Sequence, residues 1–156
     1  MTAIPVDSAG LLPHGPAARF VTRVIECGAD HILCEGSMPA SAAYARDGRC
    51  ATFVLLELGA QAAALLDRPS GADVASRAPR DGYLARARSV RCSRLEFTPG
   101  LPLQVWARRT GVLAPLFMYE VVVSDEAGVL LRGELSVYAR GTGTCSSGGT
   151  GWISPP

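Results

Sequence analysis

Hydrophobic and polar positions follow different periods in different parts of the chain. Between Phe20 and Cys27, Val21 and Val24 to Ile25 are apolar with Thr22, Arg23 and Glu26 between them, which predicts a half-buried strand. Gly28-Ala29-Asp30 supplies a turn, and His31 to Met38 reads as the returning strand of a first hairpin. Pro39 to Cys50 is small, polar and glycine-containing, a loop by composition. Ala51 to Leu66 changes character: it is dominated by Ala and Leu, lacks proline, and is hydrophobic nearly all the way round. That pattern predicts a helix buried on most sides. Arg68-Pro69-Ser70-Gly71 stops it.

From Gly82 onward the texture is that of strands, expected near Tyr83 to Ser93, Leu101 to Thr110, Leu116 to Ser124 and Val129 to Ala139. Pro99-Gly100 and Glu126-Ala127-Gly128 are the turns between them. The expectation is one domain over residues 1–140, with residues 1–16 as an irregular arm and 141–156 as a flexible Gly/Ser/Thr tail. A helix apolar on most sides, one hairpin before it and a four-strand meander after it satisfy each other in a simple way. An antiparallel sheet curls around the helix, an α+β arrangement. Its unpaired edge strand is best covered by a second chain, so a dimer is the expected unit.

Composition narrows the picture. The chain has 156 residues, 48% of them hydrophobic and 19% charged, enough to bury a core and too few charges for a disordered protein. Fifteen basic and 14 acidic side chains leave a net charge of +1, which gives no long-range field for nucleic acid. Every basic residue is arginine, and Arg86, Arg88, Arg91 and Arg94 fall close together. The longest mostly apolar run is interrupted by Glu57 and Gln61 and is short for a membrane span. Met1 to Gly10 lacks the basic start and apolar stretch of an export signal. Five cysteines without a CxxC pair argue against a disulfide framework or a zinc site, so the chain reads as cytosolic and reduced.

Two segments resemble the 3-hydroxyacyl-ACP dehydratases of fatty-acid synthesis, a hot-dog family. Leu12-Pro13-His14, followed by Val21-Thr22-Arg23-Val24, is similar to that family's opening LPH and VDRV in the same register, with Thr22 in place of aspartate. Val54-Leu55-Leu56-Glu57-Leu58-Gly59-Ala60-Gln61 resembles its central-helix signature, an apolar run ending in LEAMAQ. The likeness spans about residues 11–140 and implies a hot-dog fold. It departs at one place: the family's catalytic histidine lies in a Gly-His-Phe-Pro loop before the helix, and here Ser41 to Cys50 holds no histidine. Ala51-Thr52 replaces the family's Pro-Gly at the helix start. Both changes resemble a short-loop branch, the dehydratase-like proteins found with aryl-polyene synthesis.

Dehydrating a 3-hydroxyacyl thioester requires a base beside the thioester carbonyl, an acid for the departing hydroxyl, and donors for the enolate oxygen. Glu57 is the candidate acid or base, because a carboxyl group in so apolar a helix is partly desolvated; the bland alternative is a solvated glutamate on an exposed stripe. Gln61, four residues on, shares its helix face and either orients that carboxyl or is a core amide bonded to backbone. His14 supplies an imidazole if the chemistry needs one, or else is structural, since the family histidine it matches is not the catalytic one. The backbone N–H groups of Thr52 and Phe53 at the helix start form a candidate oxyanion site, and the resemblance implies the same place. Arg86 and Arg88 share a strand face that suits a phosphopantetheine phosphate or an acidic carrier protein, or is simply a wet sheet face.

The leading expectation is therefore a dehydratase-like enzyme acting on acyl chains linked to acyl carrier protein or coenzyme A, as a homodimer or a heterodimer with a homologous subunit. A thioesterase on the same fold is the enzymatic alternative, using Glu57 to activate water or attack directly. A catalytically silent partner subunit of a dehydratase is the other. No metal or organic cofactor is implied, and neither nucleic acid nor membrane is an expected partner.

Overall fold

The computed structural model describes residues 6–7, 11–12, 14–41, 43–67 and 82–139. The proposed tail and much of the amino-terminal arm lie outside the described residues. Among the described residues, ten strands and one α-helix are laid out in chain order: β1 (Val6–Asp7), β2 (Val21–Cys27), β3 (His31–Gly36), β4 (Ala45–Arg46), β5 (Arg49–Ala51), α1 (Leu55–Leu66), β6 (Gly82–Cys92), β7 (Glu96–Phe97), β8 (Leu103–Leu113), β9 (Leu116–Asp125) and β10 (Gly128–Ala139). A single 3₁₀ turn, Thr52–Val54, leads into α1.

The main sheet is antiparallel and seven-stranded, in the order β1-β2-β3-β8-β9-β10-β6. Its inner face is set by period two: Val105 and Ala107 on β8, Tyr119, Val121 and Val123 on β9, and Leu131 and Leu135 on β10 are all buried. Against them lie Leu55, Leu58, Gln61, Ala62, Leu65 and Leu66 of α1. Gly59 lets the helix approach closely, since a methyl there would sit 3.2 Å from Val121 carbons. This is the hot-dog arrangement, one helix wrapped by one curled sheet.

Two expectations need correction. The strands after the helix do not form a four-strand meander. β8, β9 and β10 do, but β6 lies beyond β10 at the far edge, paired with β10 alone among the described residues. Strand length and turn residues foretold each strand but not the crossover from β6 to β8. The stretch before the helix is not a plain loop: β4 and β5 make a hairpin, and β5 pairs with β7 in a second, three-stranded sheet. Its turn, Asp47-Gly48, has both residues at positive φ (50° and 72°), the twist that suits a two-residue hairpin. The helix α1 is buried on most sides, as its pattern predicts, with one side left open. Phe53, Leu56, Glu57, Ala60 and Ala64 form a partly or fully exposed stripe at helical spacing.

The far end of α1 is tied down by a polar cluster. Asp67, just past the helix, accepts hydrogen bonds from Tyr119 Oη and from Arg109 Nη1 at 2.7 Å, and Arg109 Nη2 donates to the Ala29 carbonyl at 2.9 Å. Burial, and then the Asp67 carboxylate, push the Tyr119 phenol to much weaker acidity. The helix is therefore fixed to β8, β9 and the β2–β3 turn at its end, while its beginning carries the candidate chemistry.

Candidate functional site

Glu57 lies in the first turn of α1, with its side chain 39% exposed. It is half-buried, at the border between core and solvent, because the stripe it belongs to is the one the sheet leaves uncovered. Its Oε1 accepts a hydrogen bond from Gln61 Nε2 at 3.0 Å and lies 3.3 Å from His14 Nε2. The three residues singled out in the sequence as acid, imidazole and orienting amide thus meet at one point.

Gln61 explains how they meet. It is almost wholly buried, and its Oε1 accepts from Phe20 N at 2.9 Å and Val21 N at 3.2 Å. Its Nε2 donates to the Ala18 carbonyl at 2.7 Å as well as to Glu57. With two N–H groups on one side and a carbonyl on the other, the amide has one orientation that satisfies every partner. Gln61 is thus a core amide satisfied by backbone, and its remaining hydrogen bonds to the Glu57 carboxylate. The same bonds stitch residues 18–21 to the helix. The turn closed by Ala18 N donating to Gly15 O at 3.0 Å then brings His14 back over Glu57. His14 Nδ1 is buried with no hydrogen-bond partner among the described residues.

The expected oxyanion site is changed. The Thr52 N–H donates to the Leu95 carbonyl at 2.8 Å, so it is not free for a thioester oxygen. That bond belongs to the antiparallel pairing of β5 with β7, which reaches Ala51 and Glu96 and holds the helix start against the small sheet. The Thr52 hydroxyl is fully buried and has no partner among the described residues. Phe53 follows with its side chain largely exposed.

Arg86 and Arg88 lie across from Ser136 and Glu134 of β10. Leu135 and Val137 between and beyond those residues point into the core, so both arginines project from the outer face of the sheet, opposite the helix. Ser89 has φ 52° and forms a bulge, so that Arg91 then pairs with Arg132 on that same face. Arg94 is separate, with its guanidinium on Asp125. A pocket of about 310 Å³ among Glu35, Leu103, Gln104, Ser124 and Asp125 shares no residue with the His14–Glu57–Gln61 cluster. Among the described residues no group of His, Cys, Asp and Glu is arranged to hold a metal, and no helix is long and apolar enough to cross a membrane.

The sequence model of the ApeP-like family, described as ApeP dehydratase, matches residues 6–144. Among solved structures the chain is similar to the dehydratase heterocomplex ApeI:P from Xenorhabdus doucetiae, at 21% identity and a TM-score of 0.73, over 88% of this chain and 93% of that one. It is also similar to the uncharacterized protein PH1136 from Pyrococcus horikoshii, at 20% identity and a TM-score of 0.60, over 88% and 95%. A hypothetical thioesterase from Streptococcus pneumoniae TIGR4, solved with coenzyme A, shares 11% identity at a TM-score of 0.54, over 76% and 84%. At these identities the likeness is one of fold. Among curated proteins no sequence match is found.

Proposed function

Because the chain belongs to the ApeP-like dehydratase family, we propose that it removes water from a 3-hydroxyacyl thioester carried on an acyl carrier protein or on coenzyme A. The observation that carries this reading is one carboxylate, at the exposed edge of an otherwise apolar helix, held at once by Gln61 and His14. Glu57 as carboxylate takes the proton from the carbon beside the thioester carbonyl. His14 as imidazolium gives a proton to the departing hydroxyl, which leaves as water. The carbon–carbon double bond forms, and a proton passing from Glu57 to His14 across their contact restores the starting pair.

Two features speak for a second hot-dog chain. Among the described residues β6 has an open edge, and the exposed stripe of α1 offers apolar surface beside Glu57. Self-pairing of β6 about a two-fold axis would set Arg86, Arg88 and Arg91 beside their own copies on one face, where like charges in adjacent strands repel. A homologous subunit with carboxylates on its edge strand fits better, so a heterodimer is favoured over a homodimer. Arg86 and Arg88, on the face away from Glu57, suit an acidic protein surface, of that subunit or of the carrier, better than the reacting thioester. The protein is assigned to the cytosol, with its cysteines reduced.

The test is incubation of the purified chain, alone and with any co-purifying hot-dog subunit, with 3-hydroxyacyl carrier protein, followed by mass spectrometry. Loss of water, abolished by Glu57→Gln, is expected. Release of free acid would make the protein a thioesterase. Activity that needs the second subunit and survives Glu57→Gln would make this chain a silent partner.

A further inference from the structure

The β8–β9 hairpin ends in a turn of uncommon chemistry. Leu113 pairs with Leu116, so Ala114 and Pro115 form the loop between them. Loops this short normally hold Asn, Gly or Asp, whose backbones turn easily and whose side chains suit water. Here every side chain from Gly111 to Met118 is apolar, and Val112 and Leu113 are 54% and 70% exposed. A run of exposed apolar residues adds nothing to the core and costs solubility, which marks a surface kept for contact.

The apolar surface continues across the outer face of the sheet. Leu116 lies opposite Tyr138, and Tyr138 opposite Tyr83, so the row begun at Leu113 runs over β8, β9, β10 and β6. Tyr83, Tyr138 and the neighbouring Met118 are all exposed. Gly111 lets Met118 lie flat there, since a methyl on Gly111 would come within 2.6 Å of the Met118 Cε. Further along the same face come the arginines. Toward β2, Arg23 is matched by Glu35 and Arg108 by Glu120. β6 and β10 instead present Arg86, Arg88, Arg91 and Arg132 with the single carboxylate of Glu134, and Arg91 stands directly across from Arg132. Charges on β6 guard an open edge, but Arg132 lies one strand in, where facing a like charge only costs stability.

We propose that this surface rests on an anionic lipid bilayer, with the β8–β9 tip at the boundary of headgroup and hydrocarbon and the four arginines over lipid phosphates. The joining of two chemistries on one face selects the occupant. An acidic surface alone would meet the arginines and leave Val112, Leu113 and the tyrosines in water. An apolar surface alone would strand the arginines. An anionic bilayer offers phosphate above and hydrocarbon below, and tyrosine favours the level between them. The contact is peripheral and needs no spanning helix. The arginines project from the face opposite the helix, and the tip lies toward Asp67, at the end of α1 away from Glu57. The flank that bears Glu57 stays open, so this inference is independent of the dehydration reading.

The test is co-sedimentation of the purified chain with vesicles of phosphatidylglycerol and phosphatidylcholine in equal parts, and with vesicles of phosphatidylcholine alone. Binding to the anionic vesicles is expected, weakening as salt rises. Leu113→Gln should lower the partition coefficient about 10-fold, the size of one leucine withdrawn from hydrocarbon. Arg86→Gln combined with Arg91→Gln should lower it about 30-fold, at about 1 kcal/mol per arginine. Arg46→Gln, on the separate small sheet, should leave it unchanged. All these side chains are exposed, so the urea midpoints of the variants should match wild type. Failure of wild type to sediment with the anionic vesicles, or equal sedimentation of wild type and Leu113→Gln, would overturn the proposal. So would oligomers of the wild type, seen by sedimentation velocity without lipid, that Leu113→Gln disperses, because the tip would then belong to a second copy of this chain.

Discussion

Replacing Gln61 by leucine tests the architecture of the site more sharply than replacing Glu57. The two side chains are similar in size, so the core stays filled, but every hydrogen bond is lost. Phe20 N and Val21 N, bonded to Oε1 at 2.9 and 3.2 Å, would lose that partner in a place where Phe20 and Val21 are buried. Leaving a buried donor without a partner costs about 1–3 kcal/mol. Phe20 N alone therefore predicts a loss in that range, and the Ala18 carbonyl and the Val21 N–H add to it where water cannot replace the amide. The total, about 2–5 kcal/mol, is a large share of a stability of about 5–15 kcal/mol. At about 3 °C per kcal/mol for a chain of this length, the melting temperature should fall by roughly 6–15 °C. Glu57→Gln is the contrast: its side chain is 39% exposed and the new amide oxygen can still accept from Gln61, so stability should change by less than about 1 kcal/mol. Urea unfolding of the three proteins reads both numbers from the midpoints at constant slope. A Gln61→Leu protein within about 1 kcal/mol of wild type would refute the claim that this amide stitches the arm to the helix.

At the β2–β3 turn, His31 lies 3.0 Å from Asp30 and 3.2 Å from Glu26, and these contacts, Asp30's first, raise the imidazole pKa above its usual value. Its contribution to stability is complete below the unfolded pKa of about 6.5 and is lost as pH rises through the higher folded value. A proton NMR titration of His31 should show a midpoint above that reference and a fall toward it in Asp30→Asn; an unshifted midpoint would remove the clamp. Tyr119→Phe deletes one bond to a charged, partly solvated acceptor and should cost about 1–2 kcal/mol in the same urea assay. In the native protein the Tyr119 phenol should stay un-ionised in an ultraviolet titration until the chain unfolds, whereas ionisation at the ordinary tyrosine range would place it outside the core. Burial, with Cys27 a lesser cause, pushes the Cys34 thiol up to about 12. It should therefore resist thiol reagents at pH 8 that label Cys92, and equal labelling of the two would show that β3 is not covered by the helix.

What the sequence revealed and what it hid follow one division. Features set by local period were legible: the first hairpin, the long strands and the helix with Glu57 and Gln61 one turn apart. Features set by pairing between distant segments were not. Nothing in Tyr83 to Ser93 announces that its partner is β10, since an edge strand in a sheet is chosen by which neighbours remain open after β8, β9 and β10 have paired. The Asp47-Gly48 turn was legible in principle, because that dipeptide favours two-residue hairpins, but the strands it joins are two and three residues long and carry no period of their own. That unread hairpin set the hydrogen bonding at the helix start. By extending the small sheet through Ala51, it brought the Leu95 carbonyl to the Thr52 N–H and set Tyr44 against Phe20. The exposed stripe of α1 follows from the same geometry. The sheet curls around one side of the helix, the flank that bears Phe53, Leu56 and Glu57 stays partly or fully exposed, and β6 at the sheet's edge is exposed throughout. A helix apolar on nearly every side, in a sheet that covers only part of it, leaves apolar surface open among the described residues. Among the described residues of that flank Glu57 is the one carboxylate, and it stands beside an imidazole and at the end of an amide relay, which is why the proposed chemistry is placed there.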